Sequence, residues 1–184
     1  MWSRYSRENM ADEVMNNVQR HTARALAWIV GALREHDVSY QVVGGLAARA
    51  YGANRPLADI DLYVPFDLAA GPLGEIRPFV TWGPERYVDE AWDITFLKLD
   101  LYGQRIELGD SSTDPRFFSA KNGCWERQHI YYANSTSARM FDIEIEVMPK
   151  DELIRYKSSL GREVDLTDIG QMMGASQPAA RSRR

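Results

Sequence analysis

Two aspartates one residue apart stand in an apolar run, Asp59-Ile60-Asp61-Leu62-Tyr63-Val64, and they constrain the fold more than any other feature of the chain. The run reads as a strand. Side chains alternate across a strand, so Asp59 and Asp61 share one face while Ile60, Leu62 and Val64 share the other. The apolar face demands a core, and two adjacent carboxylates demand compensating positive charge. Upstream, Val42-Val43-Gly44-Gly45 reads as the end of a short strand and a glycine turn, separated from Asp59 by residues 46–58. Strand, diglycine turn, short helix and acidic strand therefore form one local unit.

Composition bounds the rest. A length of 184 residues suits one domain, taken as 1–173, with a small basic tail over 174–184 that is expected to be disordered. Hydrophobic residues at 45% and charged residues at 26% are ordinary globular values. A net charge of −4 argues against a general nucleic-acid binder, although a local basic patch stays open. The single Cys124 rules out an intramolecular disulfide framework and reads as a spectator in a reducing cytoplasm. No leader pattern follows Met1, and the longest apolar run, Ala25 to Val30, is too short to cross a bilayer. A cytoplasmic location without a membrane partner is the expectation.

Periodicity gives the remaining elements. Residues 12–36 read as an amphipathic helix, with Val14, Val18, His21, Ala25, Trp28, Ile29 and Leu33 on its apolar stripe and His21 as a packed histidine. Residues 40–43 form a strand, and 46–51 a short helix closed by Gly52. A weak helix over 67–76 and a strand over 79–82 precede a turn at Gly83-Pro84. Strands 94–101 and 104–108 meet at Tyr102-Gly103. Residues 116–126 read as loop with a little helix, and 129–132 with 140–147 as a strand pair around Asn134-Ser135. Pro149 opens a helix over 150–160 that ends at Gly161, and 162–173 forms another. The aromatics Trp82, Tyr87, Trp92, Tyr131 and Tyr132 read as mostly core.

Phosphoryl and nucleotidyl transfer need charge neutralisation on phosphates and a positioned nucleophile. Carboxylates at i and i+2 on a strand can share two divalent ions that clamp the attacking and leaving oxygens. A glycine turn entering a helix lets phosphates approach where a Cβ would obstruct them. Gly44-Gly45 and Asp59/Asp61 meet both needs, and Arg55 lies where it could reach a phosphate. The plainer alternative is an exposed acidic strand beside an ordinary turn. The sequence holds no Walker lysine loop, Rossmann fingerprint or Gly-x-Ser-x-Gly elbow.

Gly44-Gly45 followed by Asp59-Ile60-Asp61-Leu62 resembles the signature of the nucleotidyltransferase superfamily, which includes DNA polymerase β and the antibiotic and minimal nucleotidyltransferases. The likeness covers roughly residues 40–110. It implies an α+β fold, a mixed sheet flanked by helices with a C-terminal helical pair. It also implies two magnesium ions, with manganese as a substitute, and transfer of a nucleoside monophosphate from a nucleoside triphosphate, ATP by preference, with release of pyrophosphate. Arg55-Pro56-Leu57-Ala58-Asp59, Trp92-Asp93 and Gly161-Arg162-Glu163 are further similar to small bacterial proteins labelled MazG-related, yet MazG pyrophosphohydrolases are all-helical and this chain reads as half strand.

The family adds a third carboxylate from a later strand, with Asp100 and Glu107 as candidates. A turn at Tyr102-Gly103 sets Lys98 opposite Glu107 and Asp100 opposite Arg105 as ordinary cross-strand pairs. A turn at Gly103-Gln104 sets the two acids against each other. The likeness of Arg105-Ile106-Glu107-Leu108 to the relatives' third-acid strand selects Glu107, as metal ligand or general base. Many relatives use a lysine of the C-terminal helices on the β- and γ-phosphates, and Lys157 loosely matches it, with Arg162 nearby. The alternative is a solvated helix face pairing with Glu152, Glu163 and Asp165.

The leading reading is a nucleotidyltransferase acting on an acceptor hydroxyl of a small molecule, a protein or an RNA end, its cleft completed by a second copy or a partner protein. The alternatives are a catalytically silent nucleotide sensor or toxin–antitoxin-type interaction protein, and a metal-dependent phosphohydrolase. The enzymatic reading fails if Asp59 and Asp61 point apart, or if arginine plugs them with no cavity beside the diglycine.

Overall fold

In the computed structural model the backbone is described for residues 2–174 and the side chains for residues 17–174. The order is α1 (Trp2–Glu35), β1 (Gln41–Val42), α2 (Gly44–Ala50), β2 (Asp59–Val64), α3 (Ala70–Ile76), β3 (Val80–Val88), β4 (Trp92–Leu101), β5 (Gln104–Asp110), β6 (Arg116–Ser119), β7 (Cys124–Arg127), β8 (Thr136–Met140), β9 (Ile143–Val147), α4 (Lys150–Leu160) and α5 (Glu163–Gly174). Of the tail expected to be disordered, only Gly174 falls among the described residues, where it ends α5. No described helix is long and apolar enough to cross a membrane.

The strands form one sheet in the order β7-β6-β4-β5-β2-β1-β9-β8, with β3 added on β4. The sheet is mixed. β1 runs antiparallel to β2 but parallel to β9, and β2 runs parallel to β5. Ile60, Leu62, Leu97, Leu99, Ile106 and Leu108 are buried in a core shared with Ile29 and Leu33 of α1. The alternate residues of β2 and β5 face the other way. There Asp61 stands beside Glu107 in register, and Asp59 beside Arg105. α4 and α5 pack on each other and on α2, which in turn packs on β2. The fold thus sets a helical wall along the acidic face of the central strands.

Turn chemistry fixes that face. Tyr102 and Gly103 both take positive φ, 57° and 77°, in a two-residue turn. Lys98 therefore lies opposite Glu107 and Asp100 opposite Arg105, the first of the two registers. Gly161, at φ 66°, ends α4 in the left-handed conformation that glycine tolerates.

Several expectations are corrected. α1 begins at Trp2, and its buried face runs through Thr22, Ala25, Leu26, Ile29 and Leu33, while Val18 and His21 are exposed. Thr22 takes the inward place, its hydroxyl donating to Gln104 Oε1 at 2.6 Å. Strand β3 continues past Gly83-Pro84 to Val88 by shifting register there. The segment expected as loop is the β6–β7 hairpin, with Phe117 and Ser119 buried and Arg116 and Phe118 outward in period two. Asn134-Ser135 is not a hairpin turn. Tyr132–Asn134 is a 3-10 turn, and β8 and β9 pair around Phe141-Asp142. Tyr87 and Tyr131 are 40% and 57% exposed rather than core.

Candidate active site

The diglycine turn is built around two side chains of the protein itself. Gly44 has φ +60°, and a Cβ there would sit 2.0 Å from Asp61 Oδ2. A Cβ on Gly45 would sit 2.6 Å from an Arg55 guanidinium nitrogen. The N–H of Val43 donates to the Asp61 carbonyl at 2.9 Å and ties the turn to β2. The glycines are therefore needed to seat Asp61 and Arg55, beyond any approach of a ligand.

The three acids differ in their partners. Arg105 Nη2 donates to Asp59 Oδ2 at 2.7 Å. Glu107 Oε1 lies 3.8 Å from Lys98 Nζ and 3.6 Å from Arg105 Nε. Among the described residues, no cation comes within ion-pair distance of Asp61. Burial, then the charges of Asp59 and Glu107, push the Asp61 carboxyl up to about 8, against the pull of Lys157 and Arg162. Burial also raises Glu107, with Lys98 opposing. Asp100, the other third-acid candidate, is exposed and accepts the N–H of Gly103 at 3.0 Å, capping its own turn.

The cations are organised by two residues that sequence reasoning did not select for the site. Asp165 and Asp168 on α5 are both 0% exposed. Lys157, 2% exposed, places Nζ 3.0 Å from Asp165 Oδ1 and 2.8 Å from Asp168 Oδ2. Arg55 donates to Asp168 through Nε at 2.7 Å and Nη2 at 3.2 Å. Arg162 donates to Asp165 through Nε at 2.6 Å and Nη2 at 3.2 Å. Burial would raise Asp165, but Arg162 and Lys157 outweigh it and hold the carboxyl low. Three cations around two carboxylates leave one positive charge in excess. The solvated face pairing with Glu152 and Glu163 is not what forms. The available signal was an acid pair at i, i+3 sharing the buried face of α5 with Met172.

These groups meet in one cavity of about 540 Å³. Gly44, Gly45, Arg55, Asp59, Asp61, Glu107, Lys157 and Arg162 all line it. Asp59 and Asp61 share its floor. An arginine does reach the acids, yet the cavity lies beside the diglycine as the enzymatic reading requires. The far wall is aromatic and apolar, with Tyr63, Tyr87, Trp92, Ile94, Phe96 and Tyr156. Carboxylate oxygens are the donors that magnesium prefers, and the unpaired, repelled Asp61 is a group that a cation would relieve. With Arg105 between Asp59 and Glu107, no three His, Cys, Asp or Glu side chains among the described residues stand close enough to hold one ion. Asp59, Asp61 and Glu107 offer the donor chemistry that magnesium takes, but as arranged they are not gathered around one point.

No family model matches the sequence, and no curated protein matches it. Solved structures do. A proposed nucleotidyltransferase from Thermotoga maritima superposes with a TM-score of 0.62 at 20% identity, covering 82% of this chain and 91% of that one. The lincomycin-bound lincosamide antibiotic adenylyltransferase LnuA gives 0.55 at 13% identity, over 83% of this chain and 97% of that one. The antibiotic-resistance factor ANT(2″)-Ia, in complex with adenylyl-2″-tobramycin, gives 0.51 at 11% identity, over 82% and 87%. At these identities the likeness is one of fold. The chain has the α+β fold of the nucleotidyltransferases, and nothing in these comparisons supports a kinship with MazG-related proteins.

Proposed function

We propose that the chain is a magnesium-dependent nucleotidyltransferase that moves a nucleoside monophosphate from a nucleoside triphosphate, ATP by preference, to an acceptor hydroxyl and releases pyrophosphate. The observation that carries this reading is one cavity in which an unpaired, strongly perturbed aspartate faces a cationic arc across a diglycine turn. Perturbed acids gathered with opposite charges in a cleft mark sites of chemistry. The shared fold with adenylyltransferases points the same way.

In this reading Arg55, Lys157 and Arg162 hold the phosphates, and the backbone at Gly44-Gly45 admits them to the floor. Asp59, Asp61 and Glu107 would hold the magnesium ions, which supply charge neutralisation on the reacting phosphate and its neighbours. Glu107 accepts the proton of the acceptor hydroxyl. Arg105 leaves Asp59 when the site fills.

Incubation with α-labelled ATP, magnesium and a panel of hydroxyl acceptors tests the reading. Transfer of label with stoichiometric pyrophosphate is expected. Asp59→Ala and Asp61→Ala should each lower the rate by at least about a hundredfold, the scale of losing one electrostatic element of a transition-state clamp. Near-full turnover in either variant refutes it. The contact from Arg105 to Asp59 favours a second reading, a nucleotide sensor, which the same assay exposes as ATP binding without turnover.

A further inference from the structure

The cavity extends well past the acids, over a surface that the phosphates have no use for. Alternate residues of β4, namely Ile94, Phe96 and Lys98, face it, and Tyr87 of β3 lies opposite Ile94. Phe96 packs against Trp82 at 4.7 Å, tilted by 43°, and edge-to-face against Tyr87 at 5.8 Å. Across from Phe96 on β5 is Gly109, where a Cβ would meet the Tyr63 ring at 2.8 Å and Ile94 at 3.1 Å. Without that Cβ the Tyr63 ring lies across β5, and the floor is an apolar shelf edged by the upright ring of Tyr87. Lys98 stands at its inner edge, 5.3 Å from the Phe96 centroid and 3.8 Å from Glu107.

Position relative to the acids decides what the shelf holds. In-line displacement puts the attacking and leaving oxygens on opposite sides of phosphorus. The leaving pyrophosphate belongs with Arg55, Lys157 and Arg162, beside β2 and the C-terminal helices. The attacking hydroxyl therefore arrives from the side of Glu107 and β4, which is where the shelf begins.

Hydrogen bonds hold Tyr87 in this wall. Its Oη donates to Asp89 at 2.8 Å, and Asp89 is itself fixed by the N–H groups of Ala91 and Trp92 at 2.9 and 2.7 Å. Glu107 and Asp59 are faced by Lys98 and Arg105.

Resting on the function proposed above, we infer that the acceptor is a hydroxyl compound carrying a flat apolar ring that packs against Phe96 and Tyr87. The hydroxyl oxygen forms its bond to the α-phosphorus, its proton passes to Glu107, and the bond to the bridging oxygen breaks with the electron pair leaving on pyrophosphate.

The test uses the full chain with a non-hydrolysable ATP analogue and magnesium, and follows binding by ligand-observed NMR. Phenyl β-D-glucoside and tobramycin are the probes. The glucoside should bind with or without the analogue, and Phe96→Ala and Tyr87→Ala should each weaken it roughly tenfold, the scale of losing one aromatic contact. Tobramycin, a hydroxyl compound without a flat apolar ring, should bind more weakly at the same concentrations. Tyr87 is 40% exposed, so Tyr87→Ala keeps the test alive if Phe96→Ala fails to fold. The inference is overturned if the glucoside does not bind, binds both variants as well as the parent, or is expelled by the analogue, which would give the shelf to the nucleobase. Tighter binding of tobramycin also overturns it. Failure of the analogue itself to bind would instead sink the proposed function.

Discussion

Asp168→Asn should unsettle the protein more than any single change at the acidic end of the cavity. Asp168 is 0% exposed and serves two cations, Arg55 at 2.7 Å and Lys157 at 2.8 Å. Neutralising it leaves Lys157 and Arg162 on Asp165 and takes from Arg55 its carboxylate partner. Arg55, whose side chain is 24% exposed, can turn partly toward water, but Lys157 at 2% cannot. Removing one partner of a buried ion pair costs about 3–5 kcal/mol, because the survivor is left uncompensated. Lys157 keeps its contact with Asp165, so the loss should fall at the lower end, about 3 kcal/mol. For a chain of this size that corresponds to a Tm lowered by roughly 6–12 °C. Urea unfolding followed by tryptophan fluorescence measures it, alone and with Lys157→Met. The double variant should recover much of the loss, because the stranded charge is gone. A loss below about 1 kcal/mol, or strict additivity of the two changes, would refute the account of Lys157 as a charge held by two buried acids.

Two further outcomes follow from the floor of the cavity. The Asp61 carboxyl is raised to about 8 in the fold from an ordinary 3.8, so the folded state keeps a proton that the unfolded chain has lost. Metal-free stability should therefore fall as pH rises from about 4 to about 8, and Asp61→Asn should flatten that decline in denaturation at pH 5 and pH 8.5; equal slopes in parent and variant would contradict it. Gly44→Ala should cost more stability than Gly45→Ala. The first adds the ~1–2 kcal/mol of a left-handed alanine to a collision with Asp61, and the second meets the end of a flexible arginine. Thermal melts of the two variants decide it, and a harmless Gly44→Ala would mean that Asp61 does not lie against the turn.

The stretch from Tyr40 to Val64 was legible because its determinants are local: an i, i+2 acid pair, a diglycine and a proline after the strand. The β4–β5 register was narrowed to two by Gly103, and the turn at Tyr102-Gly103 is the one that forms. The hairpin at Phe141-Asp142 was not legible, because both residues take positive φ, 51° and 63°, without glycine or asparagine to announce it. The β6–β7 hairpin was hidden by its four-residue strands, in which only Phe117 and Ser119 turn inward. His21 was misread because the apolar stripe of α1 turns one residue toward Thr22. At the site, all eight residues chosen from sequence line one cavity. Asp165 was named as a partner of the helix cations, but only on a solvated face, and Asp168 was not read at all. Arg55 and Asp168 are 113 positions apart, and Lys157 reaches Asp165 and Asp168 across the junction of two helices rather than along one. Spacing rules for a single helix carry no information about such pairs.

Two of the three cations on the basic side of the cavity, and both acids that orient them, come from α4, α5 and the turn between them. The acids are in place once β5 has joined β2, but Lys157, Arg162 and the two aspartates that orient them come from the last thirty described positions. A chain halted before α5 would carry Arg55, Lys157 and Arg162 without the two buried carboxylates that aim them. Loss of α5 would thus scatter the basic side of the cavity while sparing Asp59, Asp61 and Glu107.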